Sequence, residues 1–526
     1  MEDGDKASIS HNEMPVTPEP TVPPLAEEEP AGAYRVGWKT LMAVFALSMA
    51  NCCAAIANTT NTIIHFQVMD LGGAGNQAWI SNANLLVTLA FGPVLIMGVP
   101  AGQEVTPNKL RPWTMGFSQT LASCAVIAGT LGAGAFVKYQ TWRWSYYLNA
   151  FLMAHITRLT HDGTTIVLVT CFYHPPPTTL RRKQSRLDDL FAQVDYFGIM
   201  LFVGPIASIM IRLTWGGNTY QWSSSQVLAS LIIRCVGLLA FGLYERLFTR
   251  QGIFHHDMFV SRNFPILLFV CVVDGMLLLG VNVLFSQQIA SMFTMDAVKI
   301  ATILTPYLAT SAFGCLPAGI LMARTKSYRT VLVASLIWCS LFVGLMVLLN
   351  PSRLSWAYAF SALFGCGTAV TTVIPVVALS FSVPSYLLGT AGTLSVSGRA
   401  LGGAIGITIF ISIYHNKMGG ALPKAVGSVL AGAGHSLDVL SAINSGNPTA
   451  LSHVSGLPAS LIPEVLAANS HANTYSWRFV WIAISVVVAA NAVAACFLKS
   501  VASQINSHIE SALEDSDVRR KQMRDT

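Results

Sequence analysis

One carboxylate stands inside a long apolar run: Asp274, in Val270-Cys-Val-Val-Asp274-Gly-Met-Leu-Leu-Leu-Gly280. A charge at that depth is costly unless it is paired or reversibly protonated. Reversible protonation is what a proton-coupled device needs. A structural tie to an arginine accounts for the same residue. Two arginines lie in comparable surroundings. Arg399 follows Ser397-Gly398 and precedes Gly402-Gly403-Ala-Ile-Gly406, and Arg234 lies in Leu231-Ile-Ile-Arg234-Cys-Val. A guanidinium suits a carboxylate or another anionic group, so either arginine can partner Asp274. For Arg234, snorkelling of the long side chain toward the interface is the competing role. Asn51, Gln287 and Gln288 carry amides into apolar runs. There they line a cavity or act as polar glue between helices.

The second set of residues lies in short basic turns. Gly319-Ile-Leu-Met-Ala-Arg324-Thr-Lys326-Ser-Tyr-Arg329 joins two apolar runs, and Glu104-Val-Thr-Pro107-Asn108-Lys109-Leu-Arg111 precedes another. Cations in such turns can pair with helix C-termini and with acidic residues of a neighbour, which suits a gate. Glu104 can pair with Lys109 or Arg111, or remain a solvated loop charge. His255-His256-Asp257 lacks the spacing of a metal site, and no metal or other cofactor is expected. There is no nucleophile elbow and no phosphate-cradling loop in a strand–helix context, so neither an enzyme nor direct ATP drive is expected.

The elements that must position these residues follow from composition. Of 526 residues, 53% are hydrophobic and only 11% are charged. A soluble globular chain carries about 25% charge, so an ordinary soluble enzyme is excluded. Net charge is +6, too mild to argue for nucleic acid, and no basic-aromatic patch is present. The ten cysteines are scattered mostly in apolar runs and read as small buried hydrophobes.

Apolar stretches of about 20 residues read as membrane-spanning helices. They fall near 40–60, 79–101, 115–137, 147–172, 194–214, 226–246, 264–287, 301–323, 330–350, 355–379, 388–413 and 478–498. The expected fold is therefore an all-α polytopic membrane bundle of about twelve spans. The fourth span is interrupted by His155, Arg158, His161 and Asp162. That polar patch either lines a water path or marks a segment outside the membrane. Lys and Arg gather in alternate loops, after spans two, four, six and eight and in the C-terminal tail. By the positive-inside rule both ends are cytoplasmic and the segment 415–475 is an external loop. Residues 1–35, rich in Pro and Glu, form an expected disordered cytoplasmic tail with no signal peptide, and 501–526 form a second tail. Between the tails, 36–500 is the membrane domain. Gly and Pro recur inside the spans, as in Gly204-Pro205 and Gly314 with Pro317. They allow close approach and bending, and favour a bundle that rocks.

Several strings together resemble a known family. They are Trp142-Arg143-Trp144-Ser-Tyr146-Tyr147, Tyr173-His174-Pro175-Pro176, Asp195-Tyr-Phe-Gly198 and Leu213-Thr-Trp215-Gly216-Gly217. Phe241-Gly-Leu-Tyr244-Glu245, Gly389-Thr-Ala-Gly392 and Ser397-Gly-Arg399 continue the pattern. The chain from about 34 to about 500 is similar to the fungal trichothecene efflux pump and siderophore transporter group of the major facilitator superfamily. The Gly319–Arg329 turn likewise resembles the short loop between the second and third helices of each half in that superfamily. The resemblance implies a fourteen-span secondary transporter driven by an ion gradient, commonly protons. Its implied partners are a small-molecule substrate, the coupling ion and the bilayer. It favours Arg399 over Arg234, because the family motif retains that arginine.

The chain departs from the family pattern after Leu89-Ala-Phe91-Gly92-Pro93. The family's Gly-Asp-Arg loop and two further helices are absent, and the chain passes to Ala101-Gly102-Gln103-Glu104. The leading expectation is proton-coupled efflux of a small hydrophobic or amphipathic metabolite such as a mycotoxin or drug. The rivals are a proton-coupled siderophore–iron importer and a non-transporting membrane protein, the latter because of the missing helices. The plasma membrane is the expected location, with the vacuolar membrane as the alternative.

Overall fold

A chain segment inside hydrocarbon must satisfy its own backbone N–H and C=O groups, and an uninterrupted helix does so within one segment. The apolar runs of this chain take that solution throughout. The computed structural model describes residues 37–71, 77–95, 102–103, 106–151, 195–215, 224–248, 254–384, 387–430 and 461–502, with Val439 and Pro458. Among these residues the elements are helices and turns.

The N-terminal helices are α1 (Trp38–Ala57), a 3-10 stretch (Asn58–Ile63), α2 (Ile64–Leu71), α3 (Gln77–Leu95) and α4 (Arg111–Tyr139). A helix over 143–151 enters the fourth expected span, and the rest of that span lies outside the described residues. Then come α5 (Tyr196–Trp215) and α6 (Ser225–Leu247). The C-terminal half has α7 (Asn263–Met292), α8 (Ala297–Thr325), α9 (Tyr328–Leu348), α10 (Leu354–Ser380), α11 (Leu388–Val429) and α12 (Ile462–Ala495). Seven of the described helices are long and apolar enough to cross a membrane: α4 and α7 to α12.

Local sequence explains several boundaries. Pro112 sits in the first turn of α4, where a missing N–H costs nothing. Asp296 caps α8 by accepting from the N–H groups of Val298 (3.0 Å) and Lys299 (3.3 Å). Lys326 closes α8 in the left-handed region (φ 52°), its N–H donating to the Met322 carbonyl, and α9 starts two residues on. The expected seventh span is one helix with a defect. Met276–Gly280 forms a π turn directly after Asp274-Gly275. Such turns insert one residue into a helix and recur at functional sites.

Two helices run past the expected membrane limits. Residues 415–475 were expected as a loop, but α11 continues to Val429 and α12 starts at Ile462. Leu422, Val426, Val465 and Ala472 form a small core of their own, which holds the two extensions together. Residues 431–438, 440–457, 459 and 460 lie outside the described residues.

Helices α7 to α12 pack against one another: α7 on α10, α11 and α12, α8 on α10, and α9 on α10 and α12. The N-terminal helices join this bundle along two seams, α4 against α8 and α3 against α11. Glycines set the first seam. A Cβ on Gly116 would stand 2.7 Å from the Cys315 carbonyl oxygen, and one on Gly134 would stand 2.8 Å from that of Ala297. A Cβ on Gly319 would collide with the Pro112 carbonyl. The order of these contacts makes α4 and α8 antiparallel. On α5 and α6, Met200, Ile233 and Leu239 are exposed, as expected for side chains that face lipid rather than water.

Candidate functional site

Asp274 is 1% exposed, and its charge is met from two other helices. Arg399 Nε of α11 lies 2.8 Å from Asp274 Oδ2. Thr371 Oγ1 of α10 donates to Asp274 Oδ1 at 2.8 Å and also reaches the Thr368 carbonyl at 3.1 Å. The Arg399 guanidinium donates in addition to the Thr372 carbonyl. A buried carboxylate loses its hydration, and it stays charged only where cations and hydroxyl donors replace that water. Here one guanidinium and one hydroxyl do so.

The backbone makes this geometry possible. A Cβ on Gly275 would strike the Arg399 carbonyl, and a Cβ on Gly402 would strike the Val272 carbonyl. Helices α7 and α11 therefore touch backbone to backbone around the ion pair. Any side chain at Gly402 would push Arg399 away from Asp274. Helices α8 and α10 are also close: a Cβ on Gly365 would stand 2.5 Å from the Tyr307 carbonyl oxygen, and one on Gly314 would stand 2.7 Å from the Ala369 Cβ. Tyr307 is 1% exposed and stacks on Phe364, with ring centroids 5.4 Å apart. Its hydroxyl has no hydrogen-bond partner among the described residues.

The other sequence candidates fall in different places. Arg234 is half-buried on α6, which packs on α5, so Arg399 and not Arg234 partners Asp274. Asn51 Nδ2 donates to Gln119 Oε1 at 3.1 Å and ties α1 to α4. Gln287 lies on α7 with its Nε2 buried and, among the described residues, without a hydrogen bond. Its neighbour Gln288 accepts from Trp481 Nε1 at 3.1 Å, joining α7 to α12. Glu104 lies outside the described residues. Lys109, Arg324 and Arg329 are exposed. Arg111 is buried: its Nε donates to the Gln103 carbonyl at 2.9 Å and its guanidinium lies 5.6 Å from the Phe381 ring centroid. Arg111 thus starts the helix whose next residue, Pro112, packs on Gly319. His255 caps a short helix by accepting from Asp257 N at 3.3 Å.

Three groups escaped the sequence reading. Thr371 and Tyr307 lie in spans full of Thr, Ser and aromatics, and nothing local sets them apart. Asp296 looks like an ordinary N-cap, yet its Oδ2 also pairs with Lys138 Nζ of α4 at 2.7 Å. The string Trp142-Arg143 shows its partner only in three dimensions. Trp142 Nε1 and Arg143 both reach Asp70 Oδ2, at 2.9 and 3.3 Å.

The family model described as "Fungal trichothecene efflux pump (TRI12)" matches residues 25–526. "MFS transporter L2" of Phoma sp. is 23% identical over 92% of this chain and 86% of its own length. "Efflux pump FUS6" of Gibberella moniliformis is 26% identical, with 67% of this chain and 61% of that pump matched. "Efflux pump mokI" of Monascus pilosus is 25% identical over 81% of this chain and 73% of its own. Among solved structures, a bacterial homologue of the human lysosomal transporter Spinster, inward-facing and occupied, aligns over 90% of this chain and 98% of its own. The TM-score is 0.42 and the identity 12%.

Proposed function

We propose, from the premise that the chain belongs to the fungal trichothecene efflux pump family of the major facilitator superfamily and is a multi-pass membrane transporter of small molecules, that it exports a small hydrophobic or amphipathic metabolite, such as a mycotoxin, in exchange for protons. The observation that supports coupling is the Asp274–Arg399 pair, buried on helices that touch without side chains between them.

Protonation of Asp274 removes the negative charge that holds Arg399. The guanidinium then retains only the Thr372 carbonyl among its described partners. A protein interior rearranges between discrete packings, so losing an ion pair at a backbone contact alters how α7 and α11 sit together. Helix α11 also carries the α3 seam, where Asn82 Nδ2 donates to Thr408 Oγ1 at 2.7 Å. Protonation at Asp274 is thereby linked to the contact between the two halves. Substrate would bind between those halves and be exposed to each side in turn.

The contact of Arg111, Pro112 and Gly319 lies at the cytoplasmic end in this reading. The plasma membrane is the proposed location, since export from the cell requires it. In cells expressing the protein, a labelled trichothecene accumulates less than in cells without it, and collapsing the proton gradient erases the difference. Equal accumulation would sink the export reading. Asp274→Asn abolishes gradient-driven export at normal surface expression, whereas full activity in that variant removes Asp274 from coupling.

A further inference from the structure

Three segments meet at the end of the bundle where α7 and α9 begin and α12 has just ended. Asn263, the first residue of α7, is buried and holds the backbone of Lys499 by both of its polar groups. Its Oδ1 accepts from the Lys499 N–H at 2.8 Å, and its Nδ2 donates to the Lys499 carbonyl at 3.0 Å. Tyr328, the first residue of α9 and also buried, donates its hydroxyl to the same carbonyl at 2.5 Å. That carbonyl has two lone pairs, and the two donors use both.

The clasp gathers charge. Arg262 precedes Asn263 and Arg329 follows Tyr328, each one Cα step of about 3.8 Å away. Lys499 is the third cation. All three residues are exposed, and none has an acidic partner among the described residues. Like charges held together repel, and an anion with several acceptor oxygens relieves that repulsion. The neighbouring surface is apolar. Helices α9 and α12 lie side by side, Ser340 Oγ donating to the Ser485 carbonyl at 3.0 Å and Ser485 Oγ to the Ser340 carbonyl at 2.9 Å. Ile337 and Leu341, one turn apart on α9, are exposed, as are Val493 and Phe497 at and just past the end of α12. In a membrane protein such side chains face acyl chains. Phe497 is two residues from Lys499, so the cations stand where the acyl region gives way to head groups.

We propose that the Asn263–Lys499–Tyr328 clasp builds a binding site for an anionic phospholipid, its head group met by Arg262, Arg329 and Lys499 and its acyl chains laid along α9 and α12. A soluble anion would use the cations and leave the apolar stripes unused. By the positive-inside orientation the site faces the cytoplasmic leaflet, where anionic lipid is concentrated. A lipid held there ties the ends of α7, α9 and α12 together from outside. The inference depends neither on the exported compound nor on proton coupling.

The test needs no substrate. Full-length protein in detergent is given equal amounts of phosphatidylserine and phosphatidylcholine, and retained lipid is read by native mass spectrometry. Wild type retains phosphatidylserine preferentially. Arg262→Gln, Arg329→Gln and Lys499→Gln, combined in one chain, abolish the preference, at about fivefold in affinity for each cation removed. Arg246→Gln, the same loss of charge at an exposed position on α6, leaves the preference unchanged. Tyr328→Phe keeps every cation but releases Lys499 from α9, and it weakens the preference, which separates a built site from diffuse attraction. An undiminished preference in folded Tyr328→Phe overturns the assignment to the clasp. Should Tyr328→Phe not fold, Asn263→Ser, too short to bond both Lys499 groups, must show the same weakening for the assignment to stand. Glycerophosphoserine, the head group without acyl chains, does not displace the lipid; displacement at equal concentration overturns the lipid as the source of the anion. Equal retention of the two lipids by wild type overturns the proposal and leaves the cations to the acidic residues Glu510, Glu514 and Asp515 of the tail.

Discussion

Asp274 and Arg399 are held by each other, and the consequences are asymmetric. Removing one partner of a buried pair leaves the other charge unmet and costs about 3–5 kcal/mol. Replacing both by apolar groups of similar volume is close to neutral. Arg399→Leu alone is therefore expected to lose folded yield and thermal stability, and Arg399→Leu with Asp274→Leu to regain most of both. Fluorescence size-exclusion melting curves of the variants check this. Transport should fail in all of them, because the double variant restores packing and not proton uptake. At this scale the sequence marked both residues, since charges inside apolar runs are conspicuous. The family resemblance favoured Arg399 over Arg234, and the packing supplies the physical reason: α7 lies against α11 while α6 lies on α5.

At the scale of elements, glycine sets the distances. A Cβ at Gly402 has no space, because the Val272 carbonyl already occupies it. Forcing extra atoms into such a contact costs about 1–3 kcal/mol and shifts the backbone. Gly402→Ala should lower the melting temperature and, by separating α7 from α11, weaken transport more than it weakens folding. Gly427→Ala is the control, because a Cβ there meets nothing within 4 Å. Flux divided by folded protein separates the two effects. The glycines were visible in the sequence as a cluster, but which of them touch a facing carbonyl was not. The π turn at Met276–Gly280 was invisible for a related reason. Its residues are ordinary helix formers, and the insertion reflects how α7 fits α11 and α10 rather than any local preference.

At the scale of the whole molecule, the α4–α8 seam is closed at both ends. Pro112 and Gly319 meet at one end, and Lys138 pairs with Asp296 at the other. Hydrogen bonding to Lys138 is the main cause that holds the Asp296 carboxyl below the usual carboxylate range. A lowered carboxylate pKa contributes only while the group is ionised. The tie is therefore complete above the ordinary carboxylate pKa and is lost as pH falls through the lowered value. Both side chains are partly exposed, so salt also weakens it. Charge reversal at either position, Lys138→Glu or Asp296→Lys, should speed labelling of a cysteine placed at Gln140. The double reversal should slow it again. Unchanged labelling in both single variants would show that the pair does not hold this end.

The two halves dock although residues 96–110 are all that join α3 to α4, too few for two further spans of about 20 residues each. The seams use α3, α4, α8 and α11. The sequence by itself determined the class. In hydrocarbon the backbone admits helices only, and apolar length reports them one by one. Eleven of the expected spans coincide with described helices for that reason, and the fourth extends beyond the described residues. The string of motifs carried the family resemblance. What only the tertiary structure decided was partnership: Asp274 with Arg399, Lys138 with Asp296, and Pro112 with Gly319. Membrane helices look alike on every face, because lipid and protein interior are equally apolar. Hydropathy therefore says that a helix spans, and close packing through glycine says which helix it meets.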